Sequence, residues 1–243
     1  MSRLTIDTAE ALASKMRTML RVANGEPLNM KTVVRQLNVM TVYRPLSDSL
    51  WGLSLKSPDG KGLFMLVNSN TTRGSQHFTI AHELFHLFFD ENPTPHFCCQ
   101  SNQGDVQERS ANMFASALLM PREGLCQNIP SEELLAKSVS VDTILRLEHL
   151  YGVSHTTMVL RLKELKLISQ ECTEQLLGLV ITKEASWRGY DGYLYRKGNE
   201  GLVIGDFGTL AKRLYDAEKI SEGHFVNLLN MIGYGEGEDS IGC

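Results

Sequence analysis

Residues 77–90, HFTIAHELFHLFFD, set two histidines four positions apart, with a glutamate after the first, inside a run of large apolar side chains. Phe78, Ile80, Leu84, Leu87 and Phe88 require this stretch to be buried. Burying three polar groups among them is costly unless something satisfies those groups. On a helix, His82 and His86 lie about one turn apart on one face, so both imidazoles can share a metal ion. Glu83 can reach a water on that metal without ligating the metal itself. This is the H-E-x-x-H arrangement, in which zinc lowers the pKa of water and the glutamate takes its proton. With 7 His and 18 Glu in 243 residues, chance alone yields the pattern in roughly one such chain in seventy. The motif is therefore suggestive by itself, and the cost of burying it carries the argument. The competing possibility is a core helix whose histidines are satisfied by backbone carbonyls.

A catalytic zinc takes a third protein ligand and keeps a fourth position open. Four places can supply that ligand. Asp90 continues the histidine face but lies about 12 Å along the helix from His82, too far to share one tetrahedral centre. His96 and the Cys98–Cys99 pair follow in ENPTPHFCCQSN, a loop able to fold back. The last is Glu108, at the start of ERSANMFASALLMP. Glu108 is favoured on geometry. It lies four before Asn112 on a helix that also carries Phe114, Ala115, Leu118 and Leu119. Packing that helix on 77–90 aims both polar groups at the histidines. Glu108 then completes the site, while the Asn112 amide oxygen accepts a hydrogen bond from a ligand imidazole. The small residues Ser110, Ala111, Ala115 and Ala117 let the two helices approach.

FTIAHELFHLFF followed by ERSANMFASALLMP resembles the ImmA/IrrE family of metallopeptidases. The likeness is close over both helices and looser over about residues 7–169. It implies Zn2+ bound by His82, His86 and Glu108, with Glu83 as general base. It also implies a regulatory protein substrate, often a helix-turn-helix repressor or antitoxin-like partner from a mobile element or stress circuit. The one departure is Phe85, where many members have glycine, and this puts the pocket shape in question rather than the chemistry.

The rest of the chain reads as α+β. Helices are expected at 7–22 and 29–37, then a strand in VMTVYRPL. The runs LWGLSLKS and GLFMLVNS flank a Pro-Asp-Gly turn and read as a hairpin. GLFMLVNSN ends just before the metal helix and offers itself for pairing with an extended substrate. Helices at 76–89 and 105–119 form the site, and three short ones follow at 131–138, 141–150 and 155–166. A break near 171–175 precedes strand character at 176–182 and 191–204, a helix pair around 206–232 and a Gly-rich acidic tail. The expected architecture is a small antiparallel sheet packed on zincin-like active-site helices, then a helical bundle and a smaller C-terminal α/β segment. The boundaries are 1–130 for the peptidase core, 131–170 for helical support and 171–243 for the C-terminal segment.

Residues 141–169 have the helix, glycine turn, helix spacing of a DNA-reading unit. Residues 131–169, however, carry five basic and five acidic side chains, without the positive excess of a phosphate-binding face. A supporting role is expected, with direct DNA binding disfavoured. The chain's net charge of −4 and pI near 6.0 likewise offer no general attraction to nucleic acid or anionic membrane. No stretch reaches the ~18 apolar residues of a membrane span, and the N-terminus lacks the apolar core of a secretory signal. Five cysteines, two of them adjacent, fit reduced thiols and a cytoplasmic protein. For an oxyanion donor beyond zinc, Arg73, His96, His155 and several tyrosines are candidates. Tyr190, Tyr193 and Tyr195 suit a partner surface or a half-exposed strand, and His224 a structural helix. Against the peptidase stands a non-cleaving, metal-stabilised binding partner of a transcriptional regulator.

Overall fold

A computed structural model describes residues 4–90, 96–99 and 105–232. It opens with two helices, α1 (Ile6–Met19) and α2 (Met30–Gln36), followed by strands β1 (Val39–Arg44), β2 (Leu50–Lys56) and β3 (Leu63–Asn68). Helix α3 (Arg73–Phe89), strand β4 (His96–Cys99) and helix α4 (Val106–Leu119) come next. Six short helices then run from residue 122 to 187: α5 (Arg122–Asn128), α6 (Ser131–Ala136), α7 (Val141–Tyr151), α8 (His155–Glu164), α9 (Gln170–Leu177) and α10 (Ile181–Trp187). The described chain ends with β5 (Val203–Ile204), α11 (Phe207–Asp216) and α12 (Glu222–Met231). Many helix starts are written in the sequence. Thr5, Asn29, Thr72, Asp105, Ser140, Ser154, Ser169 and Ser221 each accept from a backbone N–H in the first turn that follows. Among the described residues, no helix is long and apolar enough to cross a membrane.

The class is α+β, with a small sheet on the site helices, as the sequence implied. The strand order is β4-β2-β3-β1-β5. β2 and β3 form the expected antiparallel hairpin, and β4 and β5 pair antiparallel at the two edges. The sheet is not wholly antiparallel, because β3 inserts between β1 and β2 and runs parallel to β1, with Val39 opposite Leu63 and Arg44 opposite Asn68. Residues 45–49 must therefore cross the end of β3. The Asn68 amide stitches that crossing, donating to Ser47 O at 3.0 Å and Leu50 O at 2.7 Å and accepting from Leu46 N at 3.0 Å. With β2 on one side and β1 on the other, β3 has no edge to offer a substrate, which overturns the strand-addition expectation.

The C-terminal third differs most from its sequence reading. The break at 171–175 and the strand at 176–182 are in fact α9 and α10. Ser169 caps α9 by accepting from Cys172 N, and the helix turns Cys172, Thr173 and Leu176 inward. In 191–204 only Val203 and Ile204 form a strand. Gly198, Asn199 and Gly201 have positive φ there, which breaks any extended run. The tyrosines fasten this segment instead of lining a strand face. Tyr190 stacks on His149 with centroids 4.5 Å apart, Tyr193 lies under the Arg73 guanidinium at 4.0 Å, and Tyr195 donates to Glu148 at 2.7 Å.

One hydrophobic cluster runs through the described residues from Ala9 to Ile204. Two buried arginines fix the end of α4 within it. Arg17 of α1 donates to Leu118 O at 2.7 and 3.0 Å, and Arg161 of α8 donates to Met120 O at 3.1 Å. The carbonyls that close a helix need partners when buried, and the LLMP stretch finds them here. Of the two basic side chains on α8, Arg161 is thus turned into the core and Lys163 is exposed.

Candidate metal centre

Thr72 starts α3, and the helix buries everything from Thr79 to Leu87. Asp105 starts α4 three residues before Glu108. The pairing of α3 with α4 works because Ala111 and Ala115 leave no bulk between them, both being fully buried. Phe85 fills the space that remains, edge-on to His86 at 5.6 Å and 5.7 Å from Phe114. The bulk that replaces a family glycine therefore props the ligand helix.

The two helices bring His82, His86 and Glu108 together. His82 Nε2 lies 3.3 Å from His86 Nε2 and 3.4 Å from Glu108 Oε2, and His86 Nε2 lies 3.8 Å from Glu108 Oε1. Donors each ~2.05 Å from a tetrahedral zinc stand about 3.3 Å apart. The residues present fit such an ion, both in donor chemistry and in spacing. The second nitrogen of each ring is also occupied. His82 Nδ1 is 2.9 Å from Asn112 Oδ1, and His86 Nδ1 is 3.2 Å from Asp90 Oδ2. Each is an acceptor for an Nδ1–H, which leaves the Nε2 lone pair directed at the metal position. Asp90 thus sits where it orients the His86 imidazole rather than beside Glu108. Gln107 Nε2 donates to the other Asp90 oxygen at 3.4 Å.

Glu83 is fully buried and accepts from Ser54 Oγ of β2 at 2.5 Å. Gly52, two residues earlier on the same strand face, makes this approach possible. A Cβ there would stand 2.6 Å from Thr79 Cγ2 of α3 and 3.5 Å from Glu83 Oε1. Lys56, on the same face again, donates to Leu87 O at 3.3 Å near the end of α3. Ser54 and Gly52 were not legible as site residues in the sequence, and Asp90 was weighed there only as a ligand. The available signal was Gly-x-Ser in a strand whose other positions, Lys56 apart, are large and apolar.

Cys98, one of the four sequence candidates, also reaches the site. A nitrogen of His82, the Cys98 sulfur and a Glu108 oxygen all lie within 4.8 Å of one another. Burial opposes a positive charge on His82, but hydrogen bonds to Cys98 and Glu108 outweigh it and hold the imidazolium well above its usual range. The side chains of His96 and Cys99, the flanking residues 91–95 and 100–104, and the tail from 233 lie outside the described residues. The other oxyanion candidates are engaged elsewhere. Arg73 begins α3, about 13 Å along the helix from His82, and donates to Tyr193 O and Arg196 O. His155 is held by Glu148 at 2.6 Å and Leu176 O at 2.8 Å.

Residues 34–163 match the profile of the Peptidase M78 family, described as an IrrE N-terminal-like domain. The chain belongs to that family. The Peptidase M78 match covers strands β1 to β4, both site helices and the helices up to α8, and it makes the chain a member of a metallopeptidase family. A Mycobacterium tuberculosis transcriptional regulator of known structure is 21% identical, aligned over 65% of this chain and 46% of that one, with a TM-score of 0.43. The chain thus spans less than half of that protein. No curated protein matches the sequence.

Proposed function

We propose that this chain is a cytoplasmic, zinc-dependent endopeptidase that hydrolyses a peptide bond in a specific regulatory protein of the helix-turn-helix repressor or antitoxin kind. The observation that carries the reading is the convergence of His82, His86 and Glu108 at the separations a tetrahedral ion sets, beside the buried carboxylate of Glu83. His82, His86 and Glu108 would hold the ion, with Asn112 and Asp90 fixing the two imidazoles. Two imidazoles suit zinc better than they suit magnesium or calcium. Zinc, when bound, supplies Lewis acidity, acidifying a water and polarising the scissile carbonyl. Glu83 takes the proton of that water and returns it to the departing amine nitrogen. Ser54 holds the Glu83 carboxylate in place for both transfers. In this division of labour residues 1–130 form the peptidase core, 131–170 brace it, and 171–243 are a C-terminal segment that lends β5 to the sheet. The family resemblance supports a regulatory substrate from a stress circuit or mobile element.

The test is N-terminal labelling of a lysate of the source cells after incubation with zinc-loaded wild type or Glu83→Gln. A few new termini, mapping to a DNA-binding regulator and seen with wild type alone, are expected. Equal cleavage by both proteins would contradict the role of Glu83. A tight stoichiometric complex with no new termini would mark the chain as a non-cleaving, metal-stabilised binding partner.

A further inference from the structure

Strand β4 carries Cys98 to the metal position through its register. Cys98 pairs with Gly52 of β2, and directly opposed residues of an antiparallel pair share a sheet face. The face of Gly52 and Ser54 is the one turned to α3, so Cys98 points there too, and it is buried. Gly52 has no side chain to compete for the space. The site then contains two overlapping donor triples. One is His82, His86 and Glu108; the other is His82, Glu108 and Cys98. They share His82 and Glu108, with His86 and Cys98 to either side of that pair, and a bound ion would draw the two together.

We infer that Cys98 is the fourth ligand of the metal, closing the coordination shell that a hydrolytic zinc must keep open, so that the resting enzyme is latent. This inference rests on the zinc-peptidase reading above. A zinc with four protein ligands is a closed site, whereas a catalytic one has three and an exchangeable position. Burial pushes the Cys98 thiol up, but a thiol that coordinates zinc is deprotonated outright. Activation requires the Cys98 sulfur to leave its corner and take a proton from solvent. The fold permits this, because β4 is an edge strand of four residues held in the sheet by β2. Letting it swing away gives up the ladder to β2 and the packing of β4 on α3. A peptide docking beside β2 can therefore trigger the exchange.

The experiment is zinc X-ray absorption on purified full-length protein, wild type against Cys98→Ala, Cys98→Ser and Cys99→Ala, with zinc content measured on the same samples. The expected result is one sulfur scatterer at about 2.3 Å in wild type and Cys99→Ala. Both Cys98 variants lose it while retaining one zinc on His82, His86 and Glu108. Cobalt(II) substitution gives a second readout, a thiolate-to-cobalt charge-transfer band that disappears in the Cys98 variants. The Cys98 variants should also digest an unstructured peptide faster than wild type. Bound zinc with only nitrogen and oxygen scatterers in wild type, or a sulfur shell that survives Cys98→Ala, overturns the inference and leaves the peptidase reading standing. Absence of zinc from every sample after reconstitution removes both.

Discussion

Asn112→Leu isolates the orientation of a metal ligand from the ligands themselves. Leucine is close to asparagine in size and cannot accept a hydrogen bond. The substitution removes the 2.9 Å contact at His82 Nδ1 and leaves His82, His86 and Glu108 untouched. The ring is then free to carry its proton on Nε2, the atom that faces His86 at 3.3 Å and Glu108 at 3.4 Å. Outer partners of metal-bound histidines are worth about 10–100-fold in affinity, or roughly 1.4–2.7 kcal/mol. Competition against a chromophoric chelator at fixed pH should show zinc affinity weakened by about that factor, with the far-ultraviolet circular dichroism unchanged. Asn112→Asp keeps an acceptor at the same atom and should bind zinc within a few-fold of wild type. If Asn112→Leu holds zinc as tightly as wild type, the tautomer argument fails, and His82 is not a ligand through Nε2.

Gly52→Ala places a methyl 2.6 Å from Thr79 Cγ2 and should destabilise the fold by about 1–3 kcal/mol through overpacking. Adding Thr79→Ser, which removes that methyl, should recover most of the loss in a denaturant titration; no recovery would show that the strain lies elsewhere. His155 offers a pH test away from the metal. Burial opposes its charge, but the Glu148 hydrogen bond outweighs it, so His155 titrates above its ordinary 6.5 in the folded state. Its ionic contribution is full below that ordinary value and fades as pH rises through the raised one. The thermal midpoint of wild type minus that of His155→Gln should therefore shrink from about pH 6 to about pH 9, and a difference that grows with pH would reverse the assignment.

The site helices were readable because their constraint is local. Two histidines four apart and a glutamate four before an asparagine fix a face on any helix, and the apolar neighbours fix which side is buried. Strands β1, β2 and β3 were readable, but HFCC read as part of a loop and is β4, and the strand order was not legible. Nothing in LFMLVN says that β3 will insert between β1 and β2, since the crossing is held by Asn68, twenty residues beyond the turn it secures. The face of β2 was hidden for a different reason. Its buried positions include Gly52 and Ser54, while Trp51, Leu53 and Leu55 are only half-buried, the inverse of a hydrophobic-in pattern. That inversion exists because the inner face serves Glu83 and admits Cys98. Between 171 and 204, local signals misled outright. Leu-Val-Ile near 180 has strand propensity, but Leu179 and Val180 lie between two helices and Ile181 begins α10, which turns Ala185 inward.

The most direct test of the metal centre is elemental mass spectrometry on purified wild type and on His82→Ala/His86→Ala. The double variant removes both nitrogen ligands whatever Cys98 contributes. One zinc per chain in the wild type, lost in the variant, is the expected result and would establish what the polar groups of HELFH are for. No zinc in either protein, after purification without chelators and an attempt at reconstitution, would return α3 to a core helix with internally satisfied histidines.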